Sequence, residues 1–507
     1  MKATVRDQEA WSARTSACGR SRPRSHQPAA GRFSGASPRL RDRRERRIEE
    51  LFVTALTHIG FEDALFLWPE PERDRYDALL REATRAAPEW TAAFLAWLRT
   101  STPMRYPALA GAAAFVRERL DTGRHGLSRQ VVASVLRRAD DPGHFLGHWL
   151  AAYGRPVPKP VKRGVADAVT RLYDDGALTY DTDGRHLSVP GFLHSALTLD
   201  GGVREARPLR FGDVVEMVRP RPRDERQAEL FRHVIERRRG RAERRPPPDA
   251  SWRREAATLR RRLGRDDWER LVPSMALPDL VGRLRRLDEA GIGFETAMRI
   301  AGRLSDPAEV RASGLLPVRL AAARDAVPHP RWRPVLERAA TYGLGDLPAI
   351  PGRTLLVLDH MRADTAVFGL TLAQRCASAD VVTFQGTPFE VVPGESPLHG
   401  YLRWQCLDLP HDGFAGVEAV PAAYRGHDRV VIVAGFDPGA PDVPGHVPVY
   451  TWQAAYSGRH FGSPPDRPRQ TLLFEGLGDA ALGAVPLIED ARRGVWPFSP
   501  ASGTAAG

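Results

Sequence analysis

The chain has 507 residues, 42% hydrophobic and 27% charged, which is enough for two to four domains with real cores and unlike a collagenous or wholly disordered composition. No apolar run approaches the ~20 residues of a membrane-spanning helix, and Met1 to Ala10 holds no apolar signal core. Three cysteines (Cys18, Cys376, Cys406) exclude a disulfide framework and paired zinc spacings, so a reduced, cytoplasmic protein without a membrane partner is expected. The net charge of +12 is spread unevenly. Residues 1–47 hold 13 Lys/Arg against 4 Asp/Glu, whereas residues 353–507 hold 11 against 16, which leaves the middle of the chain basic. Base-composition bias does not make one half basic and the other acidic.

In chain order, residues 1–45 read as a disordered basic arm, because SRPRSHQPAAGRFSGASPRLRDRR carries almost no aliphatic periodicity. From 46 to 350 the grammar is helical. RIEELFVTALTHIG, YDALLREATRAAP, EWTAAFLAWLRTST, LAGAAAFVRERLDTG, LSRQVVASVLRRADD and PGHFLGHWLAAYGR place apolar residues at i, i+3, i+4 and i+7 between Pro, Gly, Asp or Ser breaks. AELFRHVIERRR, EAATLRRRLGRDDWERLVP, LPDLVGRLRRLDEAG, FETAMRIAGRL, PVRLAAARDAV and WRPVLERAATYG continue it. Short amphipathic helices without intervening strands suggest stacked pairs, a degenerate HEAT-like array, with a compact bundle as the rival.

At Pro351 the grammar changes. RTLLVLD (353–359) reads as a buried parallel strand ending in an aspartate, and AVFGLTLAQRCAS as a helix. DVVTFQ and FEVVPG read as a hairpin about Gly386-Thr387, HGYLRWQCLDL as a helix, and DRVVIVAGFD (428–437) as a second strand ending in aspartate. VPVYTW is another strand, and QTLLFEGLGDAALGAVPLIEDA a last strand and helix. Residues 351–507 are therefore expected to form a doubly wound α/β domain, with the aspartates marking its ligand edge.

Several stretches carry a resemblance. KPVKRGVADAVTRLYDDGALTYD followed by LRFGDVVEMVRPRP, then LFRHVIERRRGR, then WERLVPSMALPDLVGRLRRL, are similar to segments of the TROVE-domain family of Ro 60 kDa-like proteins. The layout, a helical half of about 300 residues before a von Willebrand A-like domain, resembles that family over roughly 50–500. The resemblance implies an α + α/β fold, a HEAT-like helical ring closed by the A-like domain. It implies binding of single-stranded ends of misfolded noncoding RNA in the central hole and of Y-like RNA on the basic outer surface. It also implies work beside an exoribonuclease in RNA quality control.

The densest basic stretch, Arg204 to Arg265, holds 20 arginines and 10 acidic residues. Guanidinium forks pair with phosphate oxygens and stack on unpaired bases, which suits RNA, although GRAERRPPPD also reads as a proline-rich linker. Asp213, Val214, Val215 and Met217 match the family's helix, and the resemblance puts Arg219 where many members carry an RNA-contacting His. Lys159, Lys162 and Arg163 surround Pro160 at a helix start, where backbone N–H groups favour anions, and Arg210, Arg221 and Arg223 complete the RNA-binding candidates.

A von Willebrand A metal site needs D-x-S-x-S, a Thr and a further Asp, since Mg²⁺ takes hard oxygen ligands. Here Asp359 is followed by Met361 and Ala363 in place of both serines. Asp437 stands at the third position, and Ser396 is the candidate for the Thr. A degenerate site without a resident cation is expected, with Arg362 neutralising the vacancy. Catalytic patterns are absent: His144 and His148 in HFLGH lack the H-E-x-x-H glutamate, GLGDAALG misses the G-x-G-x-x-G spacing, and no G-x-S-x-G or Walker A segment occurs. The tryptophans at 90, 97, 149, 252, 268, 332 and 404 are expected in the core. A non-enzymatic RNA-binding protein is the leading reading. A protein-interaction scaffold acting through the A-like domain is the alternative, and a hydrolase using Asp359 and Asp437 the third.

Overall fold

The computed structural model describes residues 38–59, 70–124, 126–174, 176–180, 209–241, 263–327, 329–345, 347–408, 417–454 and 470–498. The first helical block contains α1 (Pro38–Leu56), α2 (Glu70–Ala86), α3 (Pro88–Ser101), α4 (Arg105–Asp121), α5 (Ser128–Val135), α6 (Asp141–Tyr153), α7 (Lys159–Leu172), α8 (Phe211–Val218) and α9 (Glu225–Arg238). α1 starts at Pro38, so the boundary expected at residue 45 falls inside a helix. Residues 1–37 lie outside the described residues.

Each helix packs on a near neighbour in sequence, α1 on α2, α2 on α4, α4 on α6, α5 on α7 and α8 on α9. Local pairing of this kind is solenoid packing. Prolines in the first turn start α3, α6 and α7, where their missing N–H costs nothing. Two glycines permit close approach. A Cβ at Gly164 of α7 would meet the Arg129 carbonyl at 2.7 Å, and one at Gly212 of α8 the Val234 carbonyl at 2.3 Å.

The second block runs through α10 (Arg265–Leu271), α11 (Leu277–Val281), α12 (Leu284–Glu289), α13 (Phe294–Leu304), α14 (Pro307–Ser313), α15 (Pro317–Ala326) and α16 (Arg333–Gly343). Asp306 caps α14 through the Ala308 and Glu309 amides, and Pro317 and Pro334 stand at the starts of α15 and α16. Trp149, Trp268, Trp332 and Trp404 are buried as expected, Trp90 and Trp97 are half-buried, and Trp252 lies outside the described residues.

The α/β domain comprises β1 (Ile350–Leu358), α17 (Ala363–Ala373), β2 (Cys376–Thr383), β3 (Pro388–Phe389), α18 (Pro397–Gln405), α19 (Ala419–Ala423), β4 (Arg429–Ala434), β5 (Val449–Gln453), β6 (Thr471–Glu475) and α20 (Ala484–Arg492). The sheet order is β3-β2-β1-β4-β5-β6, all parallel except β3, which closes the expected hairpin against β2. Alternation divides its side chains between two cores. Leu356, Leu358, Val431 and Trp452 face a cluster continuous with the helical half, while Leu355, Val357, Val430 and Ile432 face a smaller one with Val420 of α19.

Both ends of the helical half dock on this domain: α15 and α16 on α17 and α18, and α1 on α20. Helices and domain together close a ring.

Candidate nucleic-acid interface

α7 and α8 carry the RNA-binding candidates in two groups. Lys159, Lys162 and Arg163 occupy the first turn and a half of α7. At its other end, about 20 Å along fourteen residues of helix, the Arg221 carbonyl accepts from Thr170 Oγ1 (3.0 Å). Gln227 Nε2 donates to the Thr170 and Tyr173 carbonyls (2.9 and 2.7 Å), fastening the loop before α9 onto α7. Tyr173 stacks on Phe211 with ring centroids 4.0 Å apart, which brings the start of α8 and its N-cap Arg210 to the same end. Arg219, Arg221 and Arg223 follow α8 directly and are exposed.

The decisive property is the lack of carboxylate partners. Among the described residues, Lys159, Lys162, Arg163, Arg219 and Arg221 make no side-chain hydrogen bond or ion pair. Arg223 is tied to Asp224 at 3.0 Å. Two other arginines of the dense stretch are neutralised: Arg238 pairs with Asp213 and Glu216, and Arg239 with Glu216. Asp213 accepts from the Arg210 amide and caps its own helix, so its family-like position has a structural use here.

Arg219 sits in the left-handed region (φ 49°, ψ 62°) as the C-cap of α8, immediately before Pro220. A non-glycine residue there is strained, and a following proline disfavours it further. R219G is therefore expected to stabilise the fold by ~1 kcal/mol in thermal unfolding while weakening anion binding.

Arg137, not among the sequence candidates, is an exposed side chain whose charge reaches Arg171 of α7. Arg171 donates to the Ala133 and Leu136 carbonyls at the end of α5, and burial first, then Arg137, lowers its pKa. Only folding brings residue 137 to α7, so no local signal marked it.

At the carboxyl edge of the sheet, Asp359 is buried. It accepts from the Met361 amide at 2.9 Å and the Gly435 amide at 3.1 Å. Gly435 lies two residues before Asp437, which accepts from the Gly439 amide, so the two aspartates share this edge. Arg362 lies across Gly435, next to Asp359, and grips Asp364 through two bonds of 2.6 and 3.0 Å.

Ser396 is elsewhere. α17 starts beside Asp359 and ends at Gln374, whose side chain holds the Val392 carbonyl and the Gly394 amide. The Ser396 segment thus sits at the far end of an eleven-residue helix, about 16 Å away, with its hydroxyl donating to the Glu337 carbonyl of α16. Ser396 does not complete a metal site with Asp359. Two backbone-bonded carboxylates, an exposed Met361 and a guanidinium do not fit Mg²⁺.

With this geometry in hand, the solved structure of the Deinococcus radiodurans Ro (RSR) protein matches with a TM-score of 0.60. The match covers 88% of this chain and 99% of that one at 15% identity. The chain has the Ro fold. No family model and no curated protein matches the sequence. Within the Ro fold of this chain, no described helix is long and apolar enough to cross a membrane.

The remaining titratable candidates are packing groups. His144 meets Tyr106 edge-on at 5.6 Å and lies 3.6 Å from Asp140, while burial pushes His148 down to about 4. Burial raises the Cys376 thiol to about 11, which leaves it without nucleophilic thiolate at neutral pH.

Proposed function

We propose that this protein binds RNA through the unpartnered cations at the two ends of α7 and in the loop after α8. The ligands are the single-stranded ends of misfolded noncoding RNA and a Y-like RNA, in an RNA quality-control role beside an exoribonuclease, with no reaction catalysed by the chain itself. The observation that carries the reading is the set of five basic side chains without a carboxylate partner. Pairing with phosphate is the chemistry open to them.

The test is a titration of the full chain with a hairpin bearing a single-stranded 3′ tail, across salt, against a blunt hairpin. Tail-dependent binding with a steep salt slope is expected. Substituting K162A/R163A/R219A together should weaken it about tenfold to a hundredfold and reduce the slope by about 0.7 for each phosphate no longer neutralised, with thermal stability unchanged or raised. Equal binding by the triple variant removes these residues from the site. Binding to neither hairpin at low salt removes the RNA reading in favour of a protein-interaction scaffold.

A further inference from the structure

The ring closes through two seams of different construction. At one, α16 continues covalently into β1, and Arg324 reaches from α15 to the Leu398 carbonyl (3.3 Å) and over the Tyr401 ring (5.3 Å). Ser396 Oγ adds its bond to the Glu337 carbonyl, and Arg319 lies 3.2 Å from Asp479. This seam has a covalent link and buried polar anchors.

The other seam is non-covalent. The Glu475 amide at the end of β6 donates to the Thr57 carbonyl just after α1 (3.1 Å), and Arg492 reaches Glu49 at 3.9 Å. Beyond α20, Gly494 adopts a positive φ of 75° and its amide returns to the Ala491 carbonyl, which turns the chain back toward the helical half. Trp496 then meets Phe52 of α1 at 5.3 Å and Trp90 of α3 at 5.0 Å, both edge-on. Phe498 meets Trp90 at 5.3 Å and Trp97 at 5.9 Å.

Ring contacts rather than hydrogen bonds fasten this tail to the helical half. Among the described residues, Val495–Phe498 makes no hydrogen bond to the helical half. Trp496, Phe498, Trp90 and Trp97 are all only half-buried. Closure also leaves two polar atoms of the seam buried without a partner, Trp90 Nε1 and Glu475 Oε1, and opening would hydrate both. A tail without anchoring bonds, at a seam that also strands polar atoms, is the contact that gives first.

We propose that Val495–Phe498 is a releasable hook, and that the ring opens between α1 and α20 when Trp496 and Phe498 leave the aromatic groove of α1 and α3. A closed ring admits a strand only by a free end, whereas release of the hook admits one from the side. That consequence rests on the RNA-binding reading; the motion of the hook does not.

The Glu475 amide is a built-in reporter, because its hydrogen bond crosses the seam. In the full-length W496A/F498A variant its hydrogen exchange is expected to accelerate at least about tenfold (~1.4 kcal/mol), while the β1 and β4 amides keep their wild-type rates. Unchanged Glu475 exchange overturns the proposal. If the double variant loses protection everywhere, F498A alone is read by the same criterion. A parallel titration with linear and circular single-stranded RNA separates the two readings. Release of the hook should raise circular-RNA binding toward that of linear RNA. Faster Glu475 exchange without binding of either RNA keeps the hook and removes the RNA reading, whereas unchanged preference for linear RNA despite faster exchange overturns opening as a route of entry.

Discussion

D141A is expected to destabilise the protein by ~3–5 kcal/mol, read as a fall in thermal and denaturant midpoints of the helical half. Asp141 is fully buried and is the acceptor for four donors. Its Oδ1 takes Arg105 Nε at 2.6 Å, and its Oδ2 takes Arg99 Nη2 at 2.9 Å and the Arg137 and Arg138 amides at 2.7 Å each. One carboxylate therefore ties α3, α4 and the turn into α6. Truncation leaves Arg105, itself buried, with Asp140 at 2.9 Å as its remaining counter-ion, and orphans two backbone amides. An intact buried pair adds little net stability, but a broken one leaves charge in low dielectric. D141N keeps the shape and part of the hydrogen bonding, so it should fall between wild type and D141A. A D141A midpoint within 1 °C of wild type would show that water reaches the site and solvates the arginines.

The same aspartate illustrates where sequence reading stops. In RRADDPGHF it is legible as helix punctuation, which is correct, since α6 starts there. Nothing local says that arginines 36 and 42 residues away converge on it. The sheet was more legible. RTLLVLD and DRVVIVAGFD are short apolar runs ending in aspartate, and each becomes a central parallel strand because both faces are covered. Hairpin and edge strand followed from Gly386, whose positive φ of 83° lets the turn close.

Three expectations needed the third dimension. Residues 38–45 were read as the end of a disordered basic arm, yet α1 extends back to Pro38. The charge of the 204–265 stretch overstated the free cations, because acidic residues of α8 neutralise Arg238 of α9 and its C-cap Arg239. Ser396 was placed by a loose match to the metal-site pattern, and the fold sets it as the N-cap of α18, beside the far end of α17 from Asp359. The aromatic hook had no periodic signal at all, since its partners lie some four hundred residues earlier in the chain.

E475Q should stabilise the protein in alkaline solution and flatten its pH profile. Glu475 ends β6 in a buried position, with Oε1 unpartnered, and burial followed by the nearby Glu72 carboxylate pushes its pKa up to about 8. Glu72 itself lies 2.9 Å from His58 Nε2. Below pH ~4.5 both folded and unfolded chains hold the proton and the group has no influence. Between ~4.5 and about 8 the unfolded chain ionises while the folded one keeps its proton, so unfolding releases a proton and stability falls by about 1.4 kcal/mol per pH unit. Above about 8 the folded carboxyl ionises too and the loss levels off. Glutamine has the same shape and no charge to bury, so the variant should match wild type near pH 4.5 and exceed it increasingly up to pH 8. Denaturant unfolding of both proteins at half-unit steps measures the difference. Parallel profiles would mean that the wild-type carboxylate is already ionised across the range. In that case a cation or solvent outside the described residues reaches Oε1, and the alkaline weakening of the α1–β6 junction would be absent.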